Sequence, residues 1–324
     1  MNKDAILDLL RSSTANHLSG AELARRLGVS RTAVWKHIKT LEDEGYRIEA
    51  VPSKGYRITA EPDCIRPGEL KRLLGSSIFG RNIQYLTESA STNTLAMELA
   101  SRGAEEGSLV IAEVQTGGKG RMGRSWVSPK GNLYFSAILR PAVSPHQAPL
   151  MTLVGAVAVA RALRKVPGIA AAIKWPNDIL IEGRKVSGLL TEMSAEADRI
   201  RHLVLGIGIN CNMDPGTLPG EVRAQATSLA TETGKNADRT AVLAEVLREL
   251  DRWYGVFLSD RQGVLDAWRD LNVTLDRAVT VSGAGELLQG TASDIDSEGR
   301  LVITAADGST RTVAAGDVTI VKRP

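Results

Sequence analysis

Between residues 116 and 132 the chain reads TGGKGRMGRSWVSPKGN, with five glycines, four cations and no acidic side chain. Glycine costs a helix roughly 1 kcal/mol relative to alanine and gives a strand nothing to pack, so this stretch cannot be a helix or a buried strand. It has to be a loop held by its neighbours, the strand-like apolar runs Leu109–Val114 and Leu133–Arg140. Gly117, Gly118, Gly120, Gly123 and Gly131 let backbone amides come close to an anion, and Lys119, Arg121, Arg124 and Lys130 add charge and directed donors. The loop is +4 in a chain of net charge +3, so everything outside it sums to −1. Three readings compete. A dinucleotide fingerprint (Gly118, Gly120, Gly123) needs a helix to start in the loop, which Ser128-Pro129 opposes. A P-loop needs Ser or Thr after its Lys, and Gly120 follows Lys119. A basic surface loop without a ligand stays open, although apolar Trp126-Val127 sits uneasily with it.

Length and composition narrow the class. At roughly 100–200 residues per domain, a chain of 324 residues holds two or three domains. A hydrophobic content of 43% is enough to build cores. The most apolar stretch, Leu150–Leu163, is 14 residues long, too short to span a bilayer. Acids interrupt the N-terminus, so it does not read as a signal peptide. Cys64 and Cys211 have no metal or redox spacing, and a reducing cytoplasm is the expected compartment.

Residues 1–62 form the first expected module. Helices are expected over Asp4–Arg11, Ala21–Leu27 and Arg31–Glu44, with Ser19 and Glu22 making a capping box and Ser30 capping the third helix. The short turn containing Gly28 between the last two is the helix-turn-helix pattern. On the third helix Val34, Ile38 and Leu41 share an inward face, Trp35 is expected at its edge in the core rather than as a base-stacking residue, and Thr32, Lys36 and Lys39 face outward with Arg31 at the start. The strands Tyr46–Val51 and Tyr56–Ile58, joined by a turn carrying Lys54, complete a winged helix-turn-helix pattern. Arg31, Thr32, Lys36, Lys39 and Lys54 are the candidate DNA contacts, and a dimer reading two half-sites is expected. The module carries 10 basic and 8 acidic residues, only +2, so a helical interaction module with solvated lysines remains the alternative.

Residues 66–271 alternate strand and helix patterns, as a mixed α/β domain does. Helices are expected over Thr92–Ser101, Pro149–Lys165, Asp238–Ser259 and Arg261–Leu271. Further strands are expected at Ile83–Leu86, Ala171–Ile173, Ile179–Ile181 and His202–Ile209. Polar groups gather at Lys174-Trp175-Pro176-Asn177-Asp178, where Pro176 holds Trp175 extended; alone, this could be a strand end with a packed indole. Residues 272–324 hold short β-patterned runs separated by turns such as Asp296-Ser297-Glu298-Gly299.

Together these residues carry a resemblance. Gly118-Lys119-Gly120-Arg121-Met122-Gly123-Arg124-Ser125-Trp126 resembles the Gly-(Arg/Lys)-Gly-Arg-x-Gly-Arg-x-Trp loop of bacterial biotin protein ligases. Ser91-Thr92-Asn93, Lys174-Trp175-Pro176-Asn177-Asp178, Lys185-Val186-Ser187-Gly188 and Gly206-Ile207-Gly208-Ile209-Asn210 resemble that family's other blocks, in the same order. With the winged module in front, the chain resembles the bifunctional branch, biotin operon repressor and biotin–[acetyl-CoA-carboxylase] ligase.

The resemblance implies a multidomain α/β protein whose C-terminal module is a small SH3-like barrel, closing over nucleotide or touching the carrier protein. It implies activation of biotin by ATP and Mg²⁺ to biotinyl-5′-AMP and transfer to a lysine of biotin carboxyl carrier protein, coupled to repression of biotin genes at operator DNA by a ligand-promoted homodimer. The implied catalytic residues are Lys185, Arg121 and Lys119. Ser91, Thr92, Asn93, Gln115, Lys119, Gly120, Arg121 and Lys185 would bind biotin, while Arg121, Arg124, Trp126, Asn177, Asp178 and Asn210 would bind ATP. Lys119 stands where many relatives have Arg, which keeps charge but loses a bidentate fork. No covalent protein nucleophile is needed, in keeping with the lack of a Ser/His/Asp constellation. A non-catalytic ligand-sensing repressor and a lipoate-type ligase are the alternatives.

Overall fold

The computed structural model describes residues 3–13, 16–283 and 286–321; the expected module limits at residues 1 and 324 lie outside them. The chain separates into two compact units, residues 1–69 and 70–324.

In the first unit, α1 (Lys3–Ser12), α2 (Gly20–Leu27) and α3 (Arg31–Asp43) precede β1 (Arg47–Val51) and β2 (Gly55–Ala60), which pair antiparallel. The caps follow the sequence: Ser19 Oγ accepts from Glu22 N and Ser30 Oγ from Ala33 N, each at 3.1 Å. The capping box is only half made. Glu22 turns its carboxylate to Arg25 and Arg26, three and four residues on, where cations on the same helix face outcompete a backbone amide. Ile6, Leu10, Leu23, Val34, Ile38 and Leu41 form the core, and burial pushes the Tyr46 phenol up to about 12. The hairpin is tied to the helices by Leu18 and Tyr56, whose amides and carbonyls pair reciprocally at 3.0 and 2.8 Å. Gly55 makes this contact possible, since a Cβ there would lie 2.1 Å from Leu18 O. Trp35 corrects the expectation: it is 51% exposed, outside the core. Its position is about 90° from the centre of the Val34–Ile38–Leu41 face, where 100° per residue does not decide between inside and outside.

The second unit begins in α4 (Pro67–Leu74) and is built on a seven-stranded sheet. Its strands are β3 (Ile83–Leu86), β4 (Leu109–Ala112), β5 (Leu133–Leu139), β6 (Ala172–Lys174), β7 (Asp178–Ile181), β8 (Arg184–Ala195) and β9 (Ile200–Ile209). They run in the order β3-β4-β5-β9-β8-β7-β6; β3 and β4 are parallel and every other pair is antiparallel. The strand β8 has no counterpart among the expected strands, because its lysine, serine, glycine and glutamate lack a clean apolar alternation.

Helix α5 (Thr92–Ser101) packs on the sheet through Ala96 and Ala100. Helix α6 (Pro149–Leu163) is buried on nearly all sides, and at Gly155 a Cβ would lie 2.7 Å from Leu189 Cδ2, so the glycine lets the helix settle onto β8. Two short helices, α7 (Gly220–Arg223) and α8 (Leu229–Thr233), lead into α9 (Arg239–Ser259) and α10 (Arg261–Leu271). Helix α9 buries an apolar stripe of Leu243, Val246, Leu247, Leu250, Tyr254 and Phe257, with Val242 half-buried beside it. The chain ends in a five-stranded antiparallel sheet: β10 (Ala278–Gly283), β11 (Glu286–Ile295), β12 (Leu301–Thr304), β13 (Thr310–Val313) and β14 (Asp317–Ile320), in the order β13-β12-β11-β10-β14. None of the helices among the described residues is long and apolar enough to cross a membrane.

Candidate functional site

The glycine-rich loop leaves β4 and returns into β5 without the helix that a dinucleotide fingerprint requires. It folds on itself instead. Gly120 N donates to Arg124 O at 2.7 Å and Trp126 N to Gly118 O at 2.8 Å, around a single 3-10 turn at Arg121–Gly123. A Cβ on Gly118 would lie 2.4 Å from Trp126 O, so this doubling-back needs glycine. Its far end is fastened by a buried cluster. Arg239, 1% exposed, pairs with Glu113 at 2.8 Å and donates to Asn132 O at 2.7 Å, while Asn132 Oδ1 accepts from Cys211 N. The loop therefore springs from a fixed base.

Trp126 packs against the sheet at Gly188 and Gly208. A Cβ on Gly208 would lie 2.6 Å from the indole Nε1, and one on Gly188 2.9 Å from the ring. Lys185, on β8, places its Nζ 5.1 Å from the Trp126 ring centroid and 2.6 Å from Asp178 Oδ1. Arg121 reaches from the loop to Asn177 Oδ1 at 3.2 Å, and Asn177 Nδ2 is held by Leu189 O at 2.7 Å. Burial lowers the Arg121 pKa against the opposing pull of Asp317 and Asp178. A partly desolvated guanidinium is a group an incoming anion would stabilise.

The opposite wall comes from the start of α5. Thr92 N and Oγ1 both donate to Gln115 Oε1, at 2.8 and 3.1 Å, and Gln115 Nε2 donates to Ser128 Oγ at 3.0 Å. Ser91 caps the helix. Asn93 is engaged with the sheet: Nδ2 donates to Glu192 Oε2 at 2.8 Å and Leu190 O at 3.2 Å, and its Oδ1 lies where a Cβ on Gly206 would be. Asn210 likewise donates to Thr227 O at 3.0 Å.

All the residues expected at biotin and ATP line one cleft of about 470 Å³: Ser91, Thr92, Asn93, Gln115, Lys119, Gly120, Arg121, Arg124, Trp126, Asn177, Asp178, Lys185 and Asn210. Residues that the sequence reading did not single out line it too. Leu218, Val222 and Ala226 arrive on a segment that bonds to β8 through Lys185 N and Gln225 O at 2.6 Å, and Asp317, Val318 and Thr319 come from β14. Neither group carries a local motif; tertiary approach alone brings them in. Arg124 forms an ion pair with Asp317. Trp175, in a cis bond to Pro176, is 2% exposed, and its indole donates to Gly299 O at 3.0 Å, so it anchors the C-terminal sheet. Among the described residues no group of three or more His, Cys, Asp or Glu is placed to hold a metal ion.

In the first unit the candidate DNA contacts Arg31, Thr32, Lys36 and Lys39 are exposed on α3, and Lys54 is exposed in the hairpin turn. Lys39 is paired with Glu42 at 2.6 Å, which raises its pKa.

Three family models match successive parts of the chain. The biotin/lipoate A/B protein ligase family matches residues 85–210, an HTH domain residues 2–57, and the biotin protein ligase C-terminal domain residues 274–321. The bifunctional ligase/repressor BirA of Bacillus subtilis is 39% identical over 313 residues, 95% of each chain. The chain belongs to the bifunctional biotin ligase/repressor family. BirA of Escherichia coli is 32% identical over 306 residues, covering 93% of this chain and 92% of that one. A biotin protein ligase from Aquifex aeolicus, solved in complex with biotin and ATP, superposes with a TM-score of 0.64 at 29% identity, covering 75% of this chain and all of that one. This ligase/repressor thus joins an N-terminal HTH domain to a ligase fold and a β-rich C-terminal domain.

Proposed function

We propose that this chain activates biotin with ATP to biotinyl-5′-AMP, transfers biotin to a lysine of biotin carboxyl carrier protein, and represses biotin genes through its HTH domain. The observation that carries the ligase half is the convergence of loop cations, strand-end Lys185 and the Thr92–Gln115 wall on one cleft.

The reaction brings a carboxylate to the α-phosphorus of a triphosphate. A carboxylate oxygen forms the new P–O bond as the bond to pyrophosphate breaks, so fixed cations have to offset repulsion and stabilise the charge that develops. Lys185, oriented by Asp178 and Trp126, supplies that charge at the carboxylate, and Arg121, steered by Asn177, covers the phosphate. Lys119 and Arg124 add charge from the loop. Thr92 and Gln115 meet biotin's neutral ring, and Trp126 packs against the biotinyl-adenylate. Asn93 and Asn210 line the cleft with their amides engaged, Asn93 toward biotin and Asn210 toward ATP. Mg²⁺ would come with the triphosphate, since it binds through one or two carboxylates plus phosphates, and Asn177 and Asp178 would support it. The carrier lysine then attacks the acyl carbon and AMP leaves.

The functional division follows residues 1–62, 66–271 and 272–324, with the homodimer and a cytoplasmic setting as part of the reading. Purified protein, ATP, biotin and apo carrier protein should give biotinylated carrier. Biotin binding without biotinyl-AMP formation would favour the non-catalytic sensing repressor, and transfer of lipoate but not biotin the lipoate-type ligase. No adenylate from protein folded by circular dichroism would remove the ligase reading.

A further inference from the structure

Of the chain's five tryptophans, Trp175, Trp253 and Trp268 are buried, and Trp126 lies over Gly188 and Gly208. Trp35 alone stands 51% exposed, in the second turn of α3. On an ideal helix with Arg31 at zero, Trp35 falls at about 40°, Lys39 at about 80°, Thr32 at about 100° and Lys36 at about 140°. The indole is therefore flanked by cations and a hydroxyl, about 6 Å along the axis from both Arg31 and Lys39. With Arg31 and Thr32 it faces the hairpin residues Pro52 and Ser53 across a cleft. The caps and core of α3 do not use this side chain. Ser30 makes the cap, and Val34, Ile38 and Leu41 make the inward contacts.

We propose that Trp35 is a sequence-reading residue, its indole lying in the major groove against the 5-methyl group of a thymine. This rests on the DNA-binding half of the proposed function and deepens it. The surrounding charge matches a polyanion, and the N-terminal turns of a recognition helix are the ones that reach base edges. Cations and hydroxyls can meet phosphates and polar edges, but an indole placed among them needs an apolar partner. In the major groove that partner is the thymine methyl.

Full-length protein with ATP and biotin is used to enrich duplexes from a random-sequence pool, which yields the half-site. Each thymine in it is then replaced by deoxyuridine, which removes only the methyl group. Affinities are measured for wild type, Trp35→Ala and Trp35→Phe; the exposed position leaves folding intact. At one thymine per half-site the replacement should weaken wild type about fourfold, the worth of one buried methyl, and leave Trp35→Ala unchanged. The salt dependence of Trp35→Ala should equal that of wild type, because no phosphate contact is lost. Equal losses for both proteins at every thymine would overturn the Trp35 assignment while leaving DNA binding in place. If wild type enriches no duplex at low salt, the DNA-binding reading falls and takes this one with it.

Discussion

Two cationic surfaces in this chain solve opposite problems. On α3, Arg31 and Lys36 project from a regular helix into water, their spacing set by the helix itself, and exposed Lys39 pairs only along the same helix, with Glu42. In the ligase cleft, Arg121 and Lys185 are partly enclosed, and every direction they take is imposed by a neighbour: Asn177 for one, Asp178 and Trp126 for the other. The first surface suits a long polyanion met at many points through solvent. The second suits a small anion held from several sides at low dielectric, where each charge counts for more. The same formal charge therefore carries different sensitivities, and substitutions can separate them.

The sharpest break is at the base of the loop. Arg239→Met leaves Glu113 as a buried charge, and loss of one partner from such a pair costs about 3–5 kcal/mol. Thermal denaturation should show a large fall in Tm, and an unchanged Tm would mean that the loop is not anchored there. Next is Lys185→Ala, which removes a fixed charge where the acyl phosphate forms. Adenylate formation should fall about 100- to 1,000-fold in single-turnover assays, with the fold retained. On the other surface, Lys36→Ala should act through solvent alone, reducing the slope of log K against log salt by about one with little change in sequence preference. A change in preference without a change in slope would contradict the division. The smallest effect belongs to Asp317→Asn. Its ion pair with Arg124 joins side chains that are 58% and 43% exposed, so stability should change by less than about 1 kcal/mol.

The loop and strand-end motifs were legible because their chemistry is local: glycines where backbones meet, cations without acids beside them. Gly208 and Gly188 stand in two of the family blocks, and the structure gives their reason, the indole of Trp126. Trp175 was not legible as an anchor, since Gly299, its acceptor, lies 124 residues away. Asp317–Thr319 and the 218–226 segment reach the cleft only through tertiary packing. Strand β8 was hidden because a strand that lines a ligand cleft gives up the apolar alternation that marks other strands. Trp35 failed for a different reason: helical periodicity assigns faces, and a residue at the boundary between two faces is assigned by neither.

The central claim is that the enclosed cations form one adenylating site. The most direct measurement supplies the purified protein with biotin and α-labelled ATP, omits carrier protein, and follows labelled biotinyl-AMP for wild type and Lys185→Ala. Wild type should form adenylate, and the variant should lose about 100-fold or more of that rate. Folded wild type that makes no adenylate, or a variant that makes it at the wild-type rate, would contradict the claim.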